Sequence, residues 1–200
     1  MKRGKKPTLD RREVAVAILK DRGNALVVVA GLGAPTWDIT GAGEHPLNFG
    51  TWGAMGGAAM IGLGMAIAQP KRRVLVITGD GEILMGLGSL ATIGVQQPRN
   101  LVVIVMDNEH YGETGMQATH TQFGVDLPAM ARAAGFRSAG TIYSAAQLKS
   151  WIPKFHRQPG PLFASVKVTT VDAPKVLPLR DGTALKNHFR EALLGSRAYE

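Results

Sequence analysis

The sequence contains no cysteine. That absence excludes disulfides, zinc–thiolate centres and iron–sulfur clusters held by the protein, and it suits a reducing compartment, so a cytoplasmic location is expected. No apolar run is long enough for a membrane. The longest, GAMGGAAMIGLGMAIA at 53–68, falls short of the roughly 20 residues a span requires. Its Gly and Ala content suits a tightly packed internal helix instead. No apolar core follows the N-terminus as a signal peptide would require, so secretion is not indicated. Internal repeats and low-complexity linkers are also missing. What remains reads as a single domain over 1–200, with 45% hydrophobic residues, a basic arm at 1–8 and a C-terminal tail at 172–200.

Positive charge is unevenly spread. Five of the net +8 charges come from residues 1–12, where Lys2, Arg3, Lys5, Lys6, Arg11 and Arg12 face only Asp10. Such an arm suits nucleic acid or an acidic surface, but a solvated, frayed terminus is the ordinary behaviour of a chain end. The expectation is therefore no nucleic-acid partner and no membrane.

Four continuous apolar runs predict buried parallel strands: ALVVVAG (25–31), RVLVITG (73–79), LVVIVMDN (101–108) and PLFASVKV (161–168). Helical patterns lie between and around them, at 9–20 after the cap-like Thr8, then 53–69, 83–96, 127–134 and 144–157. The tail carries a further amphipathic helix near 183–194 and is expected to wrap the domain or a neighbour. Alternation of this kind predicts an α/β fold, an open parallel sheet with helices on both faces. Ligands of such sheets sit beyond the carboxyl ends of the strands.

Two strand ends are unusual there, Gly79-Asp80-Gly81-Glu82 and Asp107-Asn108-Glu109. A strand running into a helix presents free N–H groups that suit a phosphate, and glycines let that backbone approach closely. A carboxylate in the same place repels phosphate unless a cation lies between. Asp80 is thus a natural Mg²⁺ ligand, and the amide oxygen of Asn108 on the neighbouring strand end suits the same ion. Gly-Asp-Gly by itself is as often a plain turn. The set of strand, GDG, helix, second strand and Asn is more specific, with 26 residues separating Gly81 from Asn108.

That arrangement resembles the thiamine-diphosphate enzymes, and it covers about residues 10–180 as the diphosphate-binding (PP) domain of their decarboxylase-like branch. The resemblance implies thiamine diphosphate and Mg²⁺ as cofactors. Carried over, Asp80, Asn108 and the main-chain oxygen of His110 hold the metal, while Gly79, Gly81, the N–H of Glu82 and Thr114 lie along the cofactor. Glu82 stands where a hydroxyl residue is often seen. Upstream, in TWGAMGGAAMIGLGMA, Met55 lies 25 positions before Asp80 and fits the apolar wedge between the two cofactor rings. The carbonyl of Gly53 would then receive the cofactor's amino group. GDGEILMGLGSLATIG and the loop TGMQATHT look like the separately encoded small subunit of sulfopyruvate decarboxylase and the matching half of phosphonopyruvate decarboxylase. Met116 and Ala118 depart from the loop pattern; Thr114, Gly115, Gln117 and Thr119 match it.

In that family the carboxylate that activates the cofactor comes from a PYR domain across a subunit interface. No second α/β half is visible in this chain. The resemblance therefore implies a β subunit, inactive alone, that joins a PYR-domain α subunit in an α/β hetero-oligomer. The expected reaction takes a small anionic 2-oxoacid to CO₂ and an aldehyde. His110 and His120 flank the loop over the site and suit proton relay or anion binding, though loop histidines are commonly surface residues. His45 and the AGLGAPT turn with Gly31 and Gly33 have equally plain packing and turn roles. His156 and His188 read as helix-surface residues, and Arg72, Arg73 and Arg99 sit at the wrong end of the sheet. Two rivals remain: an acetolactate-synthase-like carboligase subunit, and a non-catalytic phosphate-ligand-binding regulator.

Overall fold

The computed structural model describes residues 7–20, 22–171 and 173–200, so all but the end of the basic arm at 1–8 lies outside the described residues. In chain order the elements are α1 (Arg11–Leu19), β1 (Val27–Ala30), α2 (Ala34–Gly41), β2 (Asn48–Gly50), α3 (Ala58–Ala68), β3 (Val74–Gly79), α4 (Asp80–Met85), α5 (Gly88–Gln96) and β4 (Leu101–Asp107). There follow β5 (His110–Tyr111), β6 (Gln117–Ala118), α6 (Leu127–Ala133), β7 (Ser138–Ile142), α7 (Ala145–Arg157), β8 (Leu162–Lys167) and α8 (Gly182–Leu194). Six strands make one parallel sheet in the order β2-β1-β3-β4-β8-β7, while β5 and β6 form a small antiparallel ladder apart from it.

Continuous apolar strands bury both faces, and the side-chain period of two divides them. Val28 and Ala30 of β1 pack with α1, α2 and α7, while Val27 and Val29 pack with α3, α4, α5, α6 and α8. Phe155 and Phe163 are fully buried on the two sides. Each such ring removed from water contributes about 1.5–3 kcal/mol. The fold class is the one the strand–helix alternation predicts.

Local differences have physical reasons. The sheet gains β2 and β7 over the four expected strands. β2 has only three residues, and Ser138, Ala139, Gly140 and Thr141 of β7 are half-buried at an edge, so neither shows a continuous apolar run. Helix 83–96 is two helices broken at Gly86, and the first begins at Asp80 itself. Helix 53–69 starts only at Ala58, leaving 53–57 as a loop. The AGLGAPT turn leads into a helix, α2. Asp10, not Thr8, caps α1, accepting from the N–H groups of Arg12 and Glu13.

Two cationic residues of the basic segment are not solvated. Arg11 is 8% exposed, and its Nε lies 3.3 Å from Asp38; Arg12 Nε donates to the same carboxylate at 3.0 Å. The tail folds back on the domain, as expected: Phe189 is buried against Phe49 with ring centroids 5.1 Å apart.

Candidate active site

β1 leads into α2 on one face of the sheet and β3 into α4 on the other. Their carboxyl ends part where the strand order reverses, which is where open α/β sheets bind ligands. A cleft of about 410 Å³ opens there. Its floor is Gly79, Asp80, Gly81 and Glu82 on one strand end and Asn108 and His110 on the next. Met55 and Met85 form one wall, Tyr111, Glu113, Thr114 and Met116 the loop above, and Arg11, Trp37 and Lys175 the far end.

Register places the acids. Gly79 of β3 pairs with Met106 of β4, so Asp80 and Asp107 come level and Asn108 follows at the rim. Asp80 is 1% exposed, and its Oδ2 accepts from Thr119 Oγ1. Thr121 Oγ1 lies 3.1 Å from Asp80 Oδ2 and 2.8 Å from Asp107 Oδ1. Its single proton serves one carboxylate at a time. Burial first, and the Asp107 charge second, push Asp80 up to about 6 against those hydroxyl bonds. Asp107 is held from behind by Ser165 Oγ at 2.9 Å and Lys167 Nζ at 2.8 Å. Lys167 also grips Glu109 at 2.8 Å. Burial pulls the Lys167 ammonium down, but its two carboxylate partners outweigh that and raise it.

Glu109 stands at φ +65°, an uncommon conformation for a residue with a side chain, and the Lys167 bond helps hold it. The kink turns Asn108 and His110 toward each other: Asn108 Oδ1 accepts from His110 N–H at 3.0 Å. His110 Nδ1 lies 2.8 Å from the carbonyl of Asn108. The amide oxygen keeps a second lone pair. Among the described residues no group of three or more His, Asp or Glu side chains gathers as a metal cluster. The donors the cleft does offer, a carboxylate and an amide oxygen, are hard oxygens that suit Mg²⁺ completed by main-chain and ligand oxygens. A divalent ion beside Asp80 would also offset the burial that raises it.

The other predicted residues divide. Gly79 faces open space, whereas the missing side chain of Gly81 is filled by the Tyr111 ring. Glu82 lies in the cleft floor but is 3% exposed, and its carboxylate is engaged, accepting from Thr78 Oγ1 and, at 3.1 Å, from Ala58 N–H. Thr114 Oγ1 donates to Gln117 Oε1 at 3.0 Å and the Gln117 amide returns a bond to the Thr114 carbonyl, closing the loop. Met116, a departure from the loop pattern, sits at φ +60°, where glycine is the unstrained choice.

Gly53 and His120 are not among the residues lining the cleft. Gly53 is a turn residue at φ +70°, and the ring of His120 is exposed on a 3₁₀ turn whose first carbonyl takes Val125 N–H. His45 turns its Nδ1 to Leu47 N–H beside a second cavity, which His188 also lines. His156 is half-buried and bridges α7 to the Ile18 carbonyl of α1 at 2.9 Å. Arg73 donates to the carbonyls of Phe155 and Lys154, closing the end of α7. Trp37 and Lys175 carried no signal in the sequence. One sits on a helix read as a turn, the other in the tail, with its ammonium 4.7 Å from the Trp37 ring centroid.

Residues 33–166 match the family model for the C-terminal TPP-binding domain of thiamine pyrophosphate enzymes. The chain belongs to that family. Within it, the chain is 38% identical over 155 residues to the sulfopyruvate decarboxylase subunit beta of Methanothermobacter thermautotrophicus, covering 76% of this chain and 83% of that one. It is 38% identical over 156 residues to the phosphonopyruvate decarboxylase of Streptomyces viridochromogenes, but spans only 39% of that protein. A solved thiamin diphosphate-dependent enzyme from Mycobacterium smegmatis shares the fold with a TM-score of 0.69 at 20% identity, over 80% of this chain and 32% of that one. The relatives establish a thiamine pyrophosphate enzyme domain of decarboxylase type, and the cleft lies at the strand ends within the matched region.

Proposed function

We propose that this thiamine pyrophosphate enzyme chain is the diphosphate-binding β subunit of a Mg²⁺-dependent 2-oxoacid decarboxylase, acting on a small anionic substrate of the sulfopyruvate or phosphonopyruvate kind. The observation that carries the reading is the convergence of Asp80, Asn108 and Met55 on one cleft at the parting strand ends. Asp80 and Asn108, with the main-chain oxygen of His110, would hold Mg²⁺ against the diphosphate. The open side of Gly79 leaves room for it. When bound, thiamine diphosphate supplies the electron sink for loss of CO₂. The protein's part would be to orient that group, with Met55 as an apolar support, and to screen it from water. His110, its Nδ1 engaged by the Asn108 carbonyl, turns Nε2 to within 3.5 Å of the Gln122 amide and is placed to exchange a proton at the cleft rim. The activating carboxylate would come from a separate PYR-domain α subunit, giving a hetero-oligomer active only when assembled, and we place that assembly in the cytoplasm.

Mixing the chain with such a subunit, thiamine diphosphate and Mg²⁺ tests the reading. CO₂ release from sulfopyruvate or phosphonopyruvate is expected only from the complete mixture. Asp80→Ala should abolish Mg²⁺-dependent cofactor retention. Retention unchanged in that variant removes its metal role; release of ligated products in place of aldehyde moves the enzyme to the carboligases.

A further inference from the structure

Glu82 does something that the phosphate-facing turn does not require. Its carboxylate is tied into the protein behind the cleft floor, against neighbouring segments. Oε2 accepts from Thr78 Oγ1 at the end of β3, and Oε1 accepts from Ala58 N–H, the first amide of α3, at 3.1 Å. The backbone amides of Gly56, in the loop bearing Met55, and Leu32, in the loop after β1, face the same carboxylate and favour its ionised form. A side chain on Gly31 would occupy the place of Glu82 Oε2. The neighbouring strand end is thus shaped around this acid.

We propose that Glu82 is a positioning residue, a clasp that fixes the Met55 loop in register with the metal-bearing turn at Asp80. Its functional consequence rests on the thiamine diphosphate reading above; the clasp itself does not. The chemistry suits the task. An ionised carboxylate is acceptor-only, with about four lone-pair sites, so a buried one serves several donors at once. A serine hydroxyl is too short to span from α4 to Ala58, and a glutamine amide brings donors of its own to a site already full of donors. Gly56 is the residue after Met55, so the clasp acts one bond from the proposed wedge. Asp80 lies two residues before Glu82 on the same helical turn. Movement at either end is passed to the other.

Amide hydrogen exchange on Glu82→Gln, with Asp80→Ala as comparison, tests this. In Glu82→Gln the amides of Gly56 and Ala58 should exchange at least tenfold faster while those of β3 and β4 keep their protection. Thiamine diphosphate affinity measured with saturating Mg²⁺ should fall about 10- to 100-fold, the usual effect of losing a group that orients a ligand's own holders. Asp80→Ala should lose the cofactor without faster exchange at Gly56 and Ala58. Unchanged exchange at those two amides in Glu82→Gln, or equal acceleration across the whole sheet, overturns the clasp. Should that variant fail to fold, Gly31→Ala decides. It should destabilise the wild-type chain strongly and cost clearly less in Glu82→Ser, which removes the nearer of its two clashes and leaves only Thr78 Oγ1 at 2.7 Å; equal cost in both backgrounds overturns the proposal. A wild-type chain, with its partner, that shows no thiamine diphosphate affinity but keeps Glu82-dependent exchange would refute the functional reading and uphold the clasp.

Discussion

Asp80 must lose its proton to hold a metal, yet its burial favours keeping it. Its ordinary value of 3.8 rises to about 6 in the folded chain. Below about pH 4 the group is protonated folded or unfolded. Between about 4 and 6 the native state retains a proton that the unfolded state gives up, so the stability from this group is full at low pH and lost as pH rises through about 6. A shift of this size corresponds to about 3 kcal/mol. Asp80→Asn, neutral and of the same shape, should therefore be more stable than the wild type above pH 6 in metal-free buffer, with the advantage gone by about pH 4. Urea denaturation across that range checks it, and a difference independent of pH would refute the assignment. Mg²⁺ should act in the opposite sense, binding weakly below pH 6, since the ligand must be ionised. Asp80 was legible in the sequence because GDG after an apolar run is local. That Thr119, Thr121 and Asp107 close around it was not, because they reach it only across strands and a returning loop.

At the level of elements, the contacts between helices are set by missing side chains as much as by present ones. A side chain on Gly94 of α5 would collide with the carbonyl of Ala134 at the end of α6. In an exposed helix, Gly→Ala gains close to 1 kcal/mol from helix propensity. Here the neighbour is backbone and cannot rotate away, so the overpacking cost, typically 1–3 kcal/mol and occasionally more, should win. Gly94→Ala is expected to lower the urea midpoint of unfolding; a raised midpoint would show that α5 and α6 slide apart freely. The same reasoning explains the broken helix after GDG. Hydrophobic period alone joins α4 to α5, but Gly86 lies against the carbonyl of Gly56, and the chain bends there to admit the Met55 loop.

For the molecule as a whole, the two faces of the sheet are covered but the region around the cleft is not. Trp52, Met55, Met60 and Met85 are 38%, 39%, 41% and 60% exposed on the Met55 loop, the start of α3 and the end of α4. Large apolar side chains grouped beside a binding cleft are the usual mark of a surface that is covered in an assembly. If a PYR-domain subunit closes over this side, hydroxyl-radical labelling of Met60 and Met85 should fall severalfold on its addition, while Met130, on α6, keeps its labelling. Equal labelling with and without an active partner would place the interface elsewhere. Among the described residues no helix is long and apolar enough to cross a membrane.

The four central strands, the α/β class and the position of Gly-Asp-Gly at a strand end were determined by the sequence alone, because each rests on contiguous residues: apolar runs, a helical period, Gly-Asp-Gly. Only the tertiary structure decided that Arg11 and Arg12 turn inward to Asp38, that Trp37 and Lys175 close the far end of the cleft, and that His120 stays outside it. It also decided the direction of Glu82, which stands where a hydroxyl residue is often seen and turns its carboxylate to donors from β3 and α3. The physical reason is the same for Arg11 and Glu82, both buried. A buried charge takes its orientation from partners that the fold delivers from distant segments, and the spacing along the chain holds no record of where those partners come to rest.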